Sequence, residues 1–349
     1  MKSWMHSVLA ILLIGAAAVP SRAAVVGPKI VVKFVVVTDL DIAAKRGHPG
    51  LFQAWVSGEH FGTTFSSPGV DHPIKSDGNG SFAVLVGSGE QAAVQMMALG
   101  DDDRFDLTHA YWLVTGIGTA NPDQLSLGGV AWGTRVVNGD RAFEMDRGDA
   151  AVDWPYGIVP LDLSNVPKDY PAPSLHDPSG VVYPLNVALT KMAFILSKDV
   201  KLPELPAARL YRSTFAGYQG AIRPPIVLSG SIVGSARYWH GKVLNQWASD
   251  WVQYWSKDGD PFLLSDTSDQ AIMAALTTLA KMGRVDFHRV MVERGAWAYT
   301  VPTPNQPKDK SLDDDFPGLG MAAASAFLAA RPIFHEITGH WARYADETP

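Results

Sequence analysis

From about residue 29 onward, apolar runs of strand length alternate with stretches of helical period. "KIVVKFVVVTDLD" is rich in valine and turns polar at Thr38–Asp39, the pattern of a strand buried on both faces. "GSFAVLVGSGEQAAVQMMALG" predicts a strand, a turn at Gly87, Ser88 and Gly89, and a helix. That helix sends Ala92, Ala93, Met96, Met97 and Leu99 toward a core. "THAYWLVTGIGTANPDQL" predicts a buried strand that ends in a glycine-rich turn at Thr115–Gly118, and "SLGGVAWGTRVV" a strand beside it. Residues 47–80 and 148–185 are rich in turn formers and predict long surface excursions. "VALTKMAFILSKDV" has helical spacing, and "PPIVLSGSIVGSARYWHGKVLNQWASDWVQYW" reads as strand, loop and an amphipathic helix from about Gly241. "SDTSDQAIMAALTTLAKMG" starts with capping residues and stops at Gly283. "FHRVMVERGAWAYTVP" is a further strand, and a last helix runs from Gly318 to Tyr344 with a kink expected at Pro332.

Strands alternating with helices predict an α/β fold with a mostly parallel sheet, and no repeat or linker divides the chain. Ligands of such sheets bind beyond the C-terminal strand ends. Four ends are candidates: Thr38–Asp39, Gly87–Ser88–Gly89, Thr115–Gly116–Ile117–Gly118 and Arg294–Gly295–Ala296–Trp297. The glycine turn at 87–89 opens a helix, whose free N–H groups would favour an anion, although tight strand–helix packing explains it equally. Arg294 could clamp an oxyanion, or pair with Glu293 or another carboxylate. Tyr238, Trp239 and Trp297 could stack on a flat ring, or simply fill the core. His240 opens a predicted helix, where it could reach a ligand or bond the backbone. Asp266 and Asp269 start another helix; capping accounts for one and leaves the other to hold hydroxyls. Together these residues suit a polar small molecule with a flat ring.

The first 23 residues read differently: a lysine, about a dozen apolar residues, a break at Pro20 and small residues at Ser21 and Ala23. This predicts a secretory signal cleaved after Ala23, its apolar run too short to span a bilayer, and a single domain over 24–349. Loss of Lys2 and Arg22 would take the net charge from −6 to −8. An acidic chain without a basic run argues against nucleic acid or anionic membranes as partners. No later apolar run approaches twenty residues, so the expectation is an exported, periplasmic or secreted protein that does not span the membrane. The 349 residues contain no cysteine, so packing alone must hold the fold.

Near the C-terminus, "HEITGH" invites comparison with the metalloprotease helix. There, two histidines four residues apart share one face and one metal. Here His340 follows His335 by five residues, a turn of about 140° that separates the rings. A capped helix end is the better reading, and no metal is assigned.

Several stretches together resemble the purine nucleoside permease family. "FDLTHAYWLVTGIGTANPDQLSLGGVAWGTRVV" is similar to its "TGIAG-NP" segment, "AFEMDRGD" to its "YEID-RE" step, and "YPLNVALTKMAFILSKDVKL" to its "ELN-AL-KAFELSKDVKL" segment. "ARYWHGKVLNQWASDW" resembles "DTYWHGKLLNERANNW", and "QAIMAALTTLAKMGRVDFHRVMVERGAW" resembles "NATLTALKRLAKAGLVDFDRVLVLRTAS". The resemblance spans roughly residues 30 to 345. It implies a nucleoside phosphorylase-like fold, a three-layer α/β/α sandwich around a mixed sheet, and a role in nucleoside uptake. A phosphorylase-like site would need no cofactor, with inorganic phosphate or water attacking the sugar. By position, Thr115, Gly116 and Gly118 would line the sugar side, Asp269 the ribose end, and Arg294 and Trp297 the base loop. The family's Met-Glu-Asp step reads Thr267-Ser268-Asp269, its aspartate before "YWHG" falls on Ala236, and a base-side polar residue falls on Ala298. Loss of a catalytic acid costs roughly 10²–10⁴ in rate.

Three hypotheses follow: an exported nucleoside-binding protein that serves uptake by capture, a periplasmic N-ribosyl phosphorylase or hydrolase with Asp269 and His240 as its catalytic groups, and a remnant that binds nothing. Surviving Arg294, Asp269 and the glycine turns favour the first two, and the missing acids favour binding over cleavage. A membrane transporter as partner and assembly into oligomers belong to the same expectation.

Overall fold

A computed structural model describes residues 27–39, 41, 50–160, 180–256, 259–303 and 317–349. The expected signal segment, and part of each surface excursion, lie outside the described residues.

The first part of the chain supplies strands β1 (Ile30–Val31), β2 (Phe34–Thr38), β3 (Thr63–Phe65), β4 (Ile74–Ser76) and β5 (Ser81–Leu85), with helices α1 (Leu51–Gly58) and α2 (Glu90–Gly100). The middle supplies β6 (Phe105–Asp106), β7 (Tyr111–Ala120), β8 (Val130–Asn138), β9 (Ala142–Glu144), β10 (Ile158–Pro160) and β11 (Val182–Pro184). Helices α3 (Val187–Ser197) and α4 (Pro206–Ser213) lead to β12 (Val227–Gly234), α5 (Lys242–Trp255) and β13 (Phe262–Asp266). The chain ends with α6 (Asp269–Lys281), β14 (Val290–Tyr299), α7 (Leu319–Gly339) and α8 (Trp341–Tyr344).

The central sheet is mixed rather than mostly parallel. β2 lies between β5 and β7, parallel to both, as the buried valine run requires. β7 then serves two neighbours along one edge: β2 along Tyr111–Thr115 and antiparallel β13 at Thr119–Ala120. β13 joins β12, β12 joins β8, β8 joins β14, and β14 returns to β7. Five strands therefore close a ring, and the antiparallel pairs β13–β7 and β14–β8 close it.

Strand alternation divides the core. Val35, Val37, Trp112 and Val114 face α2 and α6, meeting Ala92, Met96, Leu99, Ile272, Met273 and Leu276. Their neighbours Phe34, Val36, Tyr111 and Leu113 face the other way, toward Trp55 of α1, Leu189 of α3, and Ile333 and Phe334 of α7. Each such side chain contributes roughly 1.5–3 kcal/mol by leaving water. α5 presents Trp247, Trp251 and Trp255 at four-residue spacing to a third cluster with Trp154, Trp239 and Phe262.

Two sequence expectations need correction here. Thr115–Gly118 and Arg294–Trp297 are not turns at strand ends; both lie inside the long strands β7 and β14, paired with each other in parallel. Their glycines serve close approach, not turning. A Cβ on Gly295 would stand 2.3 Å from the Ala322 carbonyl oxygen of α7, so β14 and α7 touch backbone to backbone. The terminal helix stops at Gly339, with Pro332 inside it, and His340 separates it from α8. His335 meets Glu59 at 2.7 Å, while His340 Nδ1 lies 3.0 Å from the Glu336 carbonyl oxygen, so the two rings serve different partners.

Candidate functional site

The site forms where β2, β7, β13 and β14 end near the start of α6. At its base lies Arg294, fully buried. Its Nε and Nη2 donate to both oxygens of Asp269 at 3.2 and 2.5 Å, and Nη1 donates to Asp39 Oδ1 at 2.9 Å. Nη2 also lies 3.3 Å from Asp266 Oδ1. One guanidinium thus serves three aspartates from β2, β13 and α6. Gly116 stands beside Arg294 in the strand register, and a Cβ there would fall 1.6 Å from Nη1. The glycine is the space through which the arginine reaches Asp39.

Arg294 therefore does not present an open clamp for an oxyanion. Its partners are aspartates distant in sequence, and not Glu293, because neighbours along a strand point to opposite faces. Glu293 instead accepts a 2.5 Å hydrogen bond from Thr115 Oγ1. Burial pushes the Glu293 carboxyl up to about 8, outweighing the Thr115 bond and the nearby Arg294 charge. Thr115 and Gly116, expected on the sugar side, thus sit behind the site as its support.

Above this base is a cavity of about 290 Å³. Ile117, Tyr238, Trp239 and Trp297 supply its apolar lining, and Gly118, Thr119, Ser265, Asp266, Thr267 and Arg237 the rest. Trp297 reaches it through a β-bulge. The register of β14 on β7 slips between Ala296 and Ala298, which leaves Trp297 as the unpaired extra residue. Its ring lies 6.4 Å from that of Tyr238, tilted by 43°. Trp239 is held edge-on to Trp247 at 5.7 Å. Arg237 bonds Glu144 at 2.6 Å and lies 3.8 Å from Asp140. Asp140 also holds the segment before α5 in place, accepting from Ser235 Oγ and the Ala236 amide at 2.6 Å each.

Of the two aspartates at the start of α6, Asp266 is the cap. Its Oδ1 accepts from the backbone N–H groups of Ser268 and Asp269 at 2.6 and 2.8 Å. Asp269, expected to hold hydroxyls, is fully buried against Arg294 and does not line the cavity. His240 precedes α5, with its ring parallel to Tyr238 at 6.4 Å, and lies outside the cavity wall. Gly87, Ser88 and Gly89 form the turn between β5 and α2. The Gly89 N–H donates to Ser268 Oγ at 3.3 Å, so this turn fastens the starts of α2 and α6 and does not line the cavity.

The structure thus brings Gly118, Tyr238, Trp239 and Trp297 together at one cavity. Sequence reasoning passed over Thr119, Ser265, Thr267 and Arg237, and left open which of Asp266 and Asp269 is the cap. Among the described residues, no group of three His, Asp or Glu could hold a metal ion, and no helix is long and apolar enough to cross a membrane.

The purine nucleoside permease family model matches residues 31–349. A purine nucleoside permease of Candida albicans is 26% identical over 268 residues, covering 74% of this chain and 64% of that protein. The chain thus aligns with less than two thirds of that relative's length. A probable purine nucleoside permease of Schizosaccharomyces pombe is 24% identical over 72% of this chain and 73% of its own. Among solved structures, a 5'-methylthioadenosine/S-adenosylhomocysteine nucleosidase of Neisseria meningitidis, in complex with methylthio-immucillin-A, superposes with a TM-score of 0.50. It is 15% identical and covers 87% of this chain and 99% of that one. The Campylobacter jejuni nucleosidase gives a TM-score of 0.51 at 8% identity, over 88% and 99% of the two chains. At these identities the likeness is one of fold: a mixed α/β nucleosidase-like architecture.

Proposed function

This chain belongs to the purine nucleoside permease family, and from that premise we propose that it binds a purine nucleoside and serves nucleoside uptake by capture. The observation that carries the reading is the cavity itself, about 290 Å³, lined by three aromatic rings together with hydroxyls and a carboxyl. That is near the lower end of the range for small-molecule sites, roughly 300–1,000 Å³. A flat base matches the rings of Tyr238, Trp239 and Trp297, and a sugar matches the hydroxyls of Thr119, Ser265 and Thr267. In this reading Arg294 and Asp269 hold the floor of the site rather than touch the ligand, and Thr115 and Gly116 support them.

The accompanying proposals are export after cleavage near Ala23 to the periplasm or exterior, delivery to a membrane transporter, and a three-layer arrangement with α2 and α6 on one side of the sheet and α1, α3 and α7 on the other. A second reading, N-ribosyl cleavage, is favoured by Asp266 at the cavity and opposed by Ser268 and Ala298 where the family has polar or acidic groups.

Calorimetric titration of the purified protein with inosine, adenosine and uridine tests the proposal, followed by chromatography for free base. Binding of intact purine nucleosides is the expected result. Absence of binding for all three would overturn it. Released base would favour the second reading, and its dependence on added phosphate would separate phosphorolysis from hydrolysis.

A further inference from the structure

We propose that Asp266 stands in the folded protein as a neutral carboxylic acid whose Oδ2–H donates a hydrogen bond into the cavity, to an acceptor oxygen or nitrogen of the bound nucleoside. The inference rests on the nucleoside-binding reading and names the residue that would make that ligand's polar contact.

Geometry decides where the proton goes. Oδ1 faces three donors: the amides of Ser268 and Asp269 at 2.6 and 2.8 Å, and Arg294 Nη2 at 3.3 Å. A proton on Oδ1 would face those N–H groups, so a protonated Asp266 carries it on Oδ2. The hydrogen bonds and ion pair that hold Asp266 among the described residues all fall on Oδ1, and the residue lines the cavity.

Charge decides that a proton is there. Facing Asp266 are Arg294 from β14, Asp269 from α6 and Asp39 just after β2, while Glu293 points to the other face of β14. From the cavity side come Arg237 and Tyr238, with Asp140 behind Arg237. Arg237 is already committed to Glu144 and Asp140. Arg294 is therefore the cation left for three aspartates, all with buried side chains. Carboxylates held this close in a dry site do not all ionise. Asp269 has two hydrogen bonds to the guanidinium and Asp39 one at 2.9 Å, whereas Asp266 makes only the longer 3.3 Å approach. Asp266 is the member with least to lose by staying neutral. Burial foremost, then Asp269 and Asp39, raise it well above the carboxylate range, against the pull of Arg294.

The test is calorimetric titration of inosine between pH 6 and 9 with the Glu293→Gln variant as parent, in which residue 293 does not titrate, and with Asp266→Asn and Asp266→Leu added to it. Asparagine keeps an accepting oxygen at Oδ1 and a neutral donor at Oδ2. The expected result is Asp266→Asn affinity within about threefold of its parent near pH 6, without its weakening at higher pH. Asp266→Leu should bind about ten- to a hundredfold more weakly. The proposal is overturned if Asp266→Asn weakens as much as Asp266→Leu, since an ionised acceptor would then be the active form. It is equally overturned if Asp266→Leu binds like its parent. Should Asp266→Leu fail to fold, the pH profiles of the parent and Asp266→Asn decide alone. A wild type that binds none of the three nucleosides removes the parent reading itself, an outcome distinct from wild-type binding with the wrong variant pattern.

Discussion

Replacing Glu293 by glutamine should change how stability depends on pH, in a direction and amount that follow from its burial. The carboxyl is fully buried, bonded to Thr115, and raised from 4.5 to about 8. That rise corresponds to roughly 5 kcal/mol of preference for the protonated form in the folded state, at about 1.4 kcal/mol per unit. Below the unfolded value both states are protonated and no penalty exists. As pH rises from about 4.5 toward 8, the unfolded chain loses this proton while the folded chain keeps it, so stability falls by about 1.4 kcal/mol per pH unit. Glutamine has the shape of the neutral acid and does not titrate. Between pH 5.5 and 7.5 the wild type should therefore lose roughly 2–3 kcal/mol more than the variant. For a chain of this length that is a difference of roughly 5 °C in melting temperature. Thermal unfolding of both proteins across that range, followed by tryptophan fluorescence, measures it. Asp266 and Asp269 titrate in both proteins, so the difference isolates Glu293. Parallel pH profiles would refute the reasoning and mean that Glu293 is ionised in the folded protein.

Two further substitutions test the base and the wall of the site. Gly116→Ala places a methyl 1.6 Å from Arg294 Nη1 and 2.7 Å from Asp39 Oδ1, so the ion pair must break or the strands part. A loss of about 3–5 kcal/mol is expected in urea unfolding, and an unchanged midpoint would mean the arginine has another route. Trp297→Ala removes the bulge residue from the cavity wall and should weaken inosine binding by about 1–3 kcal/mol, roughly ten- to a hundredfold, in calorimetry. Equal affinity in that variant would move the base away from β14.

The alternation of strands and helices was legible because each element is long enough to show its own period. Val35 and Val37 against Phe34 and Val36 show it in one strand, and Trp247, Trp251 and Trp255 show it in one helix. Ring closure was not legible, because nothing in the residues of β7 marks where its edge passes from β2 to β13. The site was half legible for a related reason. Glycines at 116, 118 and 295 look the same in sequence whether they turn the chain or admit a neighbour, and here they admit Arg294, Leu264 and Ala322. The two aspartates at the start of α6 were ambiguous in the same way. Spacing alone made one of the two a cap and left the other free, and the family resemblance put Asp269 at the ribose end, yet a carboxylate has two oxygens and can cap with one. Which oxygen remains depends on where Arg294 ends, 25 residues beyond Asp269 in the chain. A cluster drawn from β2, β13, α6 and β14 has no local signature, so the acid at the cavity could be found only once the arginine's partners were counted.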